Sequence, residues 1–285
     1  MQRALATSLP RCYPLTMRLL VPLVSVFLFF SSSALADTVV GVEVAKPARK
    51  SFNQIDHSPW TTLLRKHVNK AGMVNYAAWK KSSADQATLK SYLVSLSAAD
   101  KSIKSNRSAR FAFWINAYNA LTVYGILEKY PTSSIKNHTA KVFGYNIWKD
   151  LYLRVGGGKF NLDTIEHKIL RKMGDFRIHF AIVCASIGCP RLLNSAYEAA
   201  TISTQLDRNA RHFFSQPRHF RFDKSSSTFF LSSILDWFAD DFGKSDEARL
   251  KAIAEYLPTQ EQQDAARSGA VKIKHLKYDW SINKQ

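Results

Sequence analysis

The chain has 285 residues, 40 Lys+Arg against 22 Asp+Glu, a formal net charge of +18, three cysteines and 46% hydrophobic residues. Its 18 Phe, 11 Tyr and 6 Trp exclude wholesale disorder, its 11 Gly and 9 Pro exclude a collagen-like or low-complexity chain, and three cysteines are too few for a disulfide-dense scaffold. The length admits one large domain or two small ones.

Residues 1–36 read as a leader. They carry Arg3, Arg11 and Arg18, no acidic residue, an apolar run from Leu19 to Phe30, three serines, and the triplet Ala34-Leu35-Ala36. A basic segment, a short apolar stretch and small residues before a cut define a secretory signal. The run is short for a permanent span, which needs about 20 apolar residues. Cleavage is expected after Ala36, and Met17 is a second candidate start, since it opens a compact signal by itself. Removing the leader and its three arginines leaves 249 residues carrying +15 and removes Cys12, so that only Cys184 and Cys189 remain. The expected location is periplasmic or secreted, with no membrane span after cleavage. The positive charge suits an anionic envelope polymer as partner. The basic residues are nevertheless scattered, their densest stretches being Lys101 to Arg110 and Arg208 to Arg221, and no specific nucleic-acid motif is present.

Residues 37–56 look like an irregular lead-in. A helix is expected after Ser58-Pro59, where Trp60, Leu63, Leu64 and His67 recur at helical spacing. Residues 72–76 read as extended and 84–96 as a second amphipathic helix. The strongest helix covers about 108–129. It is apolar on nearly every side and too interrupted to cross a membrane, which makes it a buried central helix. Asn116 and Asn119 share one of its faces, either to hold a neighbouring loop or to line a reaction site. Residues 149–162 form a hairpin around Gly156-Gly157-Gly158. This is not a phosphate loop, because Phe160 stands where Ser or Thr is needed. Asp163 to Glu166 reads as a capping box opening a helix through Met173. The run Arg177 to Cys184 reads as a buried strand ending in a turn at Ala185 to Pro190, which would set His179 and Cys184 on opposite faces. Helices at about 196–215, 232–239 and 246–256 and a strand at 271–276 complete the chain. The expected class is α+β, a single domain over 57–285, with a buried central helix packed on a small, largely antiparallel sheet.

The sharpest chemical candidate is the segment from His179 to Pro190, because a loop leaving a rigid element is where reactive side chains are presented. Cys184 admits three readings: a disulfide to Cys189, a free catalytic thiolate, or an inert buried thiol. The C-x4-C spacing is not the C-x-x-C of dithiol oxidoreductases. A cysteine nucleophile needs a base or cation nearby, and His179, His167 and Glu166 are the candidates in sequence. Cys184-Ala185-Ser186-Ile187-Gly188 mimics a nucleophile elbow, but with Cys184 in the first glycine position. The eight histidines contain no H-x3-H or HExxH pattern, and no cofactor motif is present. Asp236, Asp240 and Asp241, on one expected helix, face either a cation or solvent.

Phe113 to Leu121, Ile165 to Arg171, Arg177 to Pro190 and the closing Tyr278-Asp279-Trp280-Ser281-Ile282-Asn283 together resemble the DUF547 family, over about 57–283. The resemblance implies an α+β domain, in bacteria often exported, with no assigned activity. Some eukaryotic relatives carry glutaredoxin-like modules. Within these motifs Asn116, Asn119, Glu166, His167, Arg177, His179, Cys184, Ser186 and Cys189 are the polar or reactive members, and they are expected to form one connected network. A buried amide-bearing helix beside a segment ending in Cys is also similar to the core of papain-like and transglutaminase-like enzymes. The leading expectation is a thiol-dependent hydrolase or acyl transferase. Cys184 would be the nucleophile, His179 or His167 the base, Glu166 the group that orients the histidine, and Asn116 or Asn119 an oxyanion donor. The rival is a non-catalytic envelope-binding protein with a structural or redox Cys184–Cys189 disulfide.

Overall fold

A computed structural model describes residues 38–140 and 144–285. The expected leader and its cleavage site lie outside the described residues. Four helices come first: α1 (Ser58–His67), α2 (Tyr76–Lys81), α3 (Ser83–Ser95) and α4 (Arg107–Lys129). The Asn106 side chain accepts from the Ala109 N–H and starts α4. Seventeen of its 23 residues are buried, among them Phe113, Trp114, Ile115, Tyr118 and Leu121, so α4 is the central helix the sequence implies. Helices α1 to α3 cover one side of it with Trp60, Trp79 and Tyr92.

The class is α+β, but the expected single sheet is two three-stranded sheets, each with one parallel and one antiparallel pair. In the first, β1 (Thr38–Val40) runs parallel to β2 (Leu151–Val155), which turns into antiparallel β3 (Gly158–Asn161). In the second, β4 (Phe220–Asp223) and β5 (Thr228–Ser232) form a hairpin, and β6 (Lys272–Leu276) adds parallel to β5. The lead-in is therefore partly ordered. The β-branched Thr38-Val39-Val40 supplies an edge strand, and Phe52 packs edge-on against Phe113 at 4.8 Å.

Just before β2 the one-turn α5 (Ile147–Asp150) leads into the hairpin, and after β3 α6 (Leu162–Thr164) continues through a wide π turn over Ile165–Leu170 to Met173. Its cap is Asn161, which accepts from the Thr164 N–H at 2.8 Å, and not Asp163 as the capping-box pattern suggested. Further on, α7 (Ile202–Phe214), α8 (Ser233–Trp237), α9 (Ala239–Phe242), α10 (Asp246–Ile253) and α11 (Gln260–Ser268) surround the second sheet. Phe180, Phe213, Phe214, Phe220 and Phe229 fill a second apolar cluster there.

The expected strand at 177–184 does not form. Phe176–Phe180 is a 3-10 turn capped by Asp175, whose carboxylate accepts from the Arg177 N–H. Arg177 also pairs with Asp175 and with Asp207, both at 2.7 Å. Among the described residues the apolar run has no strand partner, and the Asn119 side chain bonds its backbone at Ala181 and Val183 instead.

Among the described residues no helix is long and apolar enough to cross a membrane. Gly125 lets α4 approach the first sheet closely, since a Cβ there would lie 2.6 Å from Leu151 Cδ2 and 2.8 Å from Ile147 Cδ1. Gly125→Leu should therefore overpack this contact and cost about 1–3 kcal/mol, read as a lower urea midpoint at unchanged slope.

Candidate active site

Two amides on α4 position the cysteine loop. Asn119 donates from Nδ2 to the Ala181 carbonyl at 3.0 Å and accepts the Val183 N–H on Oδ1 at 2.9 Å. Asn116 does the same to both backbone groups of Tyr197, at 2.8 and 2.9 Å. Each side chain stands in for a strand neighbour. Both are buried and committed to backbone, so neither is the oxyanion donor considered from sequence. On the far side, the C-terminal segment closes the loop: Ile187 N–H donates to the Ser281 carbonyl, Gly188 N–H to the Asp279 carbonyl, and Asn283 N–H to the Ala185 carbonyl. Between the two clamps Ala185 is held at φ +57°, a left-handed conformation that costs an L-residue about 1–2 kcal/mol. Strain of this kind gathers at functional sites.

The clamps bring four side chains into one cluster. Cys184 and Cys189 are free thiols with their sulfurs 2.7 Å apart. Tyr278 Oη lies 3.3 Å from Cys184 Sγ, 3.1 Å from Cys189 Sγ and 2.7 Å from Ser186 Oγ. The Cys184 N–H donates to Cys189 Sγ at 3.0 Å, and Ser186 Oγ lies 3.3 Å from the same sulfur. Burial alone would raise the Cys189 thiol, but hydrogen bonds from Cys184, Ser186 and Tyr278 outweigh it and bring Cys189 down to about 6. Cys184, which donates to that sulfur, is pushed up, and burial adds to the rise. The two shifts run in opposite directions, so ionisation of one sulfur opposes ionisation of the other, and the surrounding hydrogen bonds favour Cys189 as the first to lose its proton. Ser186 is buried within this cluster and is not presented as an elbow nucleophile.

Both cysteines line a cavity of ≈ 310 Å³, and Glu166, His167 and His179 line it with them. Neither imidazole is hydrogen-bonded to a sulfur. His179 Nε2 donates to Asp241 Oδ2 at 2.7 Å, and its ring stacks on Phe238 at 4.2 Å. Burial pushes His179 below its ordinary value, so the ring is neutral at pH 7 and Nδ1 is its basic nitrogen. Asp241 also takes two hydrogen bonds from Arg171, at 2.6 and 2.9 Å. Burial works to raise the Asp241 carboxyl, but His179 and Arg171 together hold it well below the usual carboxylate range. Arg171 further donates to His167 Nδ1 at 3.1 Å. A guanidinium only donates, so the His167 ring proton sits on Nε2.

Glu166 does not orient a histidine. Its Oε2 accepts from the Tyr118 hydroxyl at 3.1 Å, and burial raises its carboxyl above the ordinary value. The expected single network is thus three: the sulfur cluster, the chain from His167 through Arg171 and Asp241 to His179, and the Glu166–Tyr118 pair. Arg177 stands apart, on its two aspartates. Asp236, Asp240 and Asp241, expected on one helix, separate because the helix breaks at Phe238. Asp241 turns inward, while Asp240 pairs with Lys244 at the surface. Among the described residues no group of three or more His, Cys, Asp or Glu is placed to hold a metal ion.

Sequence reasoning missed Tyr278, Tyr118 and the orienting role of Asp241. Tyr278 was within reach, because it opens the closing motif Tyr278-Asp279-Trp280. Gly188 fits beneath its ring, and a Cβ there would lie 2.9 Å from the ring carbons. Trp237, 48% exposed, stacks on Trp280 at 5.7 Å and leaves an aromatic rim at the cavity mouth.

The fold and the site can now be set beside known proteins. The family described as a protein of unknown function, DUF547, matches residues 103–214, a segment running from just before α4 to the end of α7. The segment over residues 103–214 belongs to this family. The matched segment is narrower than the resemblance over 57–283, and it holds both cysteines, both asparagines, Glu166 and both histidines but not Tyr278 or Asp241. No curated protein and no solved structure matches the chain.

Two outcomes test this geometry. Asn119→Ala strands two buried backbone groups at ~1–3 kcal/mol each, so urea unfolding should show a loss of about 2–6 kcal/mol. Tyr278→Phe removes the hydroxyl that contacts both sulfurs. The rate of iodoacetamide alkylation of the native protein should rise with pH through about 6 in the parent chain, and its midpoint should move upward in the variant.

Proposed function

We propose that this protein is an exported thiol-dependent hydrolase or acyl transferase whose nucleophile is Cys184 and whose base is the neighbouring Cys189 thiolate. The observation that carries this reading is one cavity bearing two free sulfurs, one of them brought down to about 6, together with the raised carboxyl of Glu166. Cys184 is the more exposed residue of the pair, and its sulfur is in contact with that of Cys189. As Cys184 Sγ bonds to the acyl carbon, its proton passes to Cys189. Glu166 protonates the leaving group and becomes a carboxylate, and a thioester remains. Water then attacks the thioester and gives one proton to Glu166. Cys184 departs as a thiolate and recovers its proton from Cys189, which restores the starting state. The Cys189 base replaces the imidazole expected from sequence. His179, fixed by Asp241, leaves Nδ1 as an acceptor for the substrate.

A second reading is a redox or structural turn, favoured by the 2.7 Å contact between the sulfurs. In that case oxidation joins Cys184 to Cys189, and no nucleophile remains.

The two readings separate by peptide mapping after exposure of the native protein to an activated ester such as p-nitrophenyl acetate. The acyl-transfer reading predicts an adduct on Cys184 that is absent in Cys184→Ser and forms about 10²–10⁴-fold more slowly in Cys189→Ser. A Cys184–Cys189 bridge in essentially all molecules, with no adduct, would overturn it in favour of the redox turn.

A further inference from the structure

A second cavity, of ≈ 740 Å³, lies at the other end of the α4–α6 face. It falls in the size range of small-molecule pockets. Its floor is apolar, formed by Phe52, Trp114, Phe160 and Met173. Its wall and rim carry Lys101, Arg107, Arg110 and Lys172, all exposed. Among the described residues none of these four makes an ion pair. Arg107 is held in place by donating to the Met173 carbonyl and by lying over the Phe111 ring. Asp100, the acid on the lining, is already taken by Arg49 at 3.0 Å and by Ser102. The cavity therefore presents four uncompensated cations above a hydrophobic floor.

Such a pairing of surfaces selects a ligand with an anionic group at one end and an apolar body at the other. An extended polyanion does not use the floor. Nucleobase stacking is not available either, because Trp114 is only 6% exposed and packs at 5.1 Å and 60° against Phe160. The basic stretch Lys101 to Arg110, left unexplained by the thiol site, supplies three of the four cations.

We propose that this cavity binds an anionic amphiphile, an alkyl chain ending in a phosphate or carboxylate. The chain lies on Phe160 and Met173, the more exposed apolar residues of the lining, and the anionic group meets Arg110, Lys101 and Lys172. The proposal stands independently of the chemistry at Cys184. The ligand is either a free single-chain amphiphile or a lipid within a bilayer.

The test is calorimetric titration of the full chain with decyl phosphate below its micellar concentration. Decanol and inorganic phosphate are run beside it. Saturable one-to-one binding is expected for decyl phosphate, at least about tenfold tighter than for either half of the molecule, and weakening with salt. The doubly substituted Arg110→Glu, Lys172→Glu protein should lose at least about tenfold in affinity, while Arg110→Lys retains binding. Both sites are exposed, and unchanged urea unfolding confirms that the variants are folded. Equal binding of decanol or of phosphate alone, or binding indifferent to the charge reversals, would overturn the proposal. Co-sedimentation with phosphatidylglycerol vesicles that fails in the same double variant would identify the source as bilayer lipid. Decyl phosphate binding without vesicle association would identify a free amphiphile.

Discussion

The cysteine loop depends on a constraint imposed by α4. A helix buried on almost every side cannot carry polar side chains unless each finds a partner, and Asn116 and Asn119 find theirs in the backbone of two other segments. These bonds substitute for the strand pairing that residues 181–183 lack. The C-terminal segment supplies the opposite clamp through Ser281, Asp279 and Asn283. Held from both sides, the loop can sustain Ala185 at positive φ and two sulfurs in contact, neither of which a free loop would keep.

The electrostatics of the site follow from that confinement. Two thiols so close cannot both ionise, and the surrounding donors decide which sulfur takes the first charge. The Tyr278 hydroxyl, the Ser186 hydroxyl and the Cys184 N–H all face Cys189 Sγ. Across the cavity the raised Glu166 carboxyl and the neutral, aspartate-held His179 are shaped by burial in the opposite sense. Groups of unlike protonation tendency around one cavity are the arrangement acid–base chemistry requires.

Much of the fold was legible from periodicity. The central helix was expected over 108–129 and runs over Arg107–Lys129; the first helix, the helix at 84–96 and the Gly156–Gly158 hairpin also stand close to their expected places. Failures share a cause, which is that tertiary partners overrode a local pattern. Arg177 to Cys184 has the composition of a strand, but the Asp175 cap, the Arg177 ion pairs and the Asn119 amide make it a 3-10 turn and an amide-clamped loop. The site was legible as a list of residues and not as contacts. Cys184, Cys189, Glu166, His167 and His179 do share one cavity, and the proximity of the two cysteines is among the readings of the sequence, but the pairing of Glu166 with Tyr118 and of His179 with Asp241 spans 48 and 62 residues, which no spacing rule reaches. Tyr278 is 94 residues from Cys184.

The central claim is that the two sulfurs share a single negative charge at neutral pH. Thiolate ultraviolet absorbance of the folded chain, titrated against pH and compared with the Cys184→Ser, Cys189→Ser double variant, tests it most directly. The predicted result is one thiolate equivalent, absent from the double variant, appearing around pH 6, with no second equivalent until well above the ordinary thiol range. Absence of any thiolate signal below that ordinary range, about 8.5, would contradict it and leave the pair as a disulfide or as inert thiols.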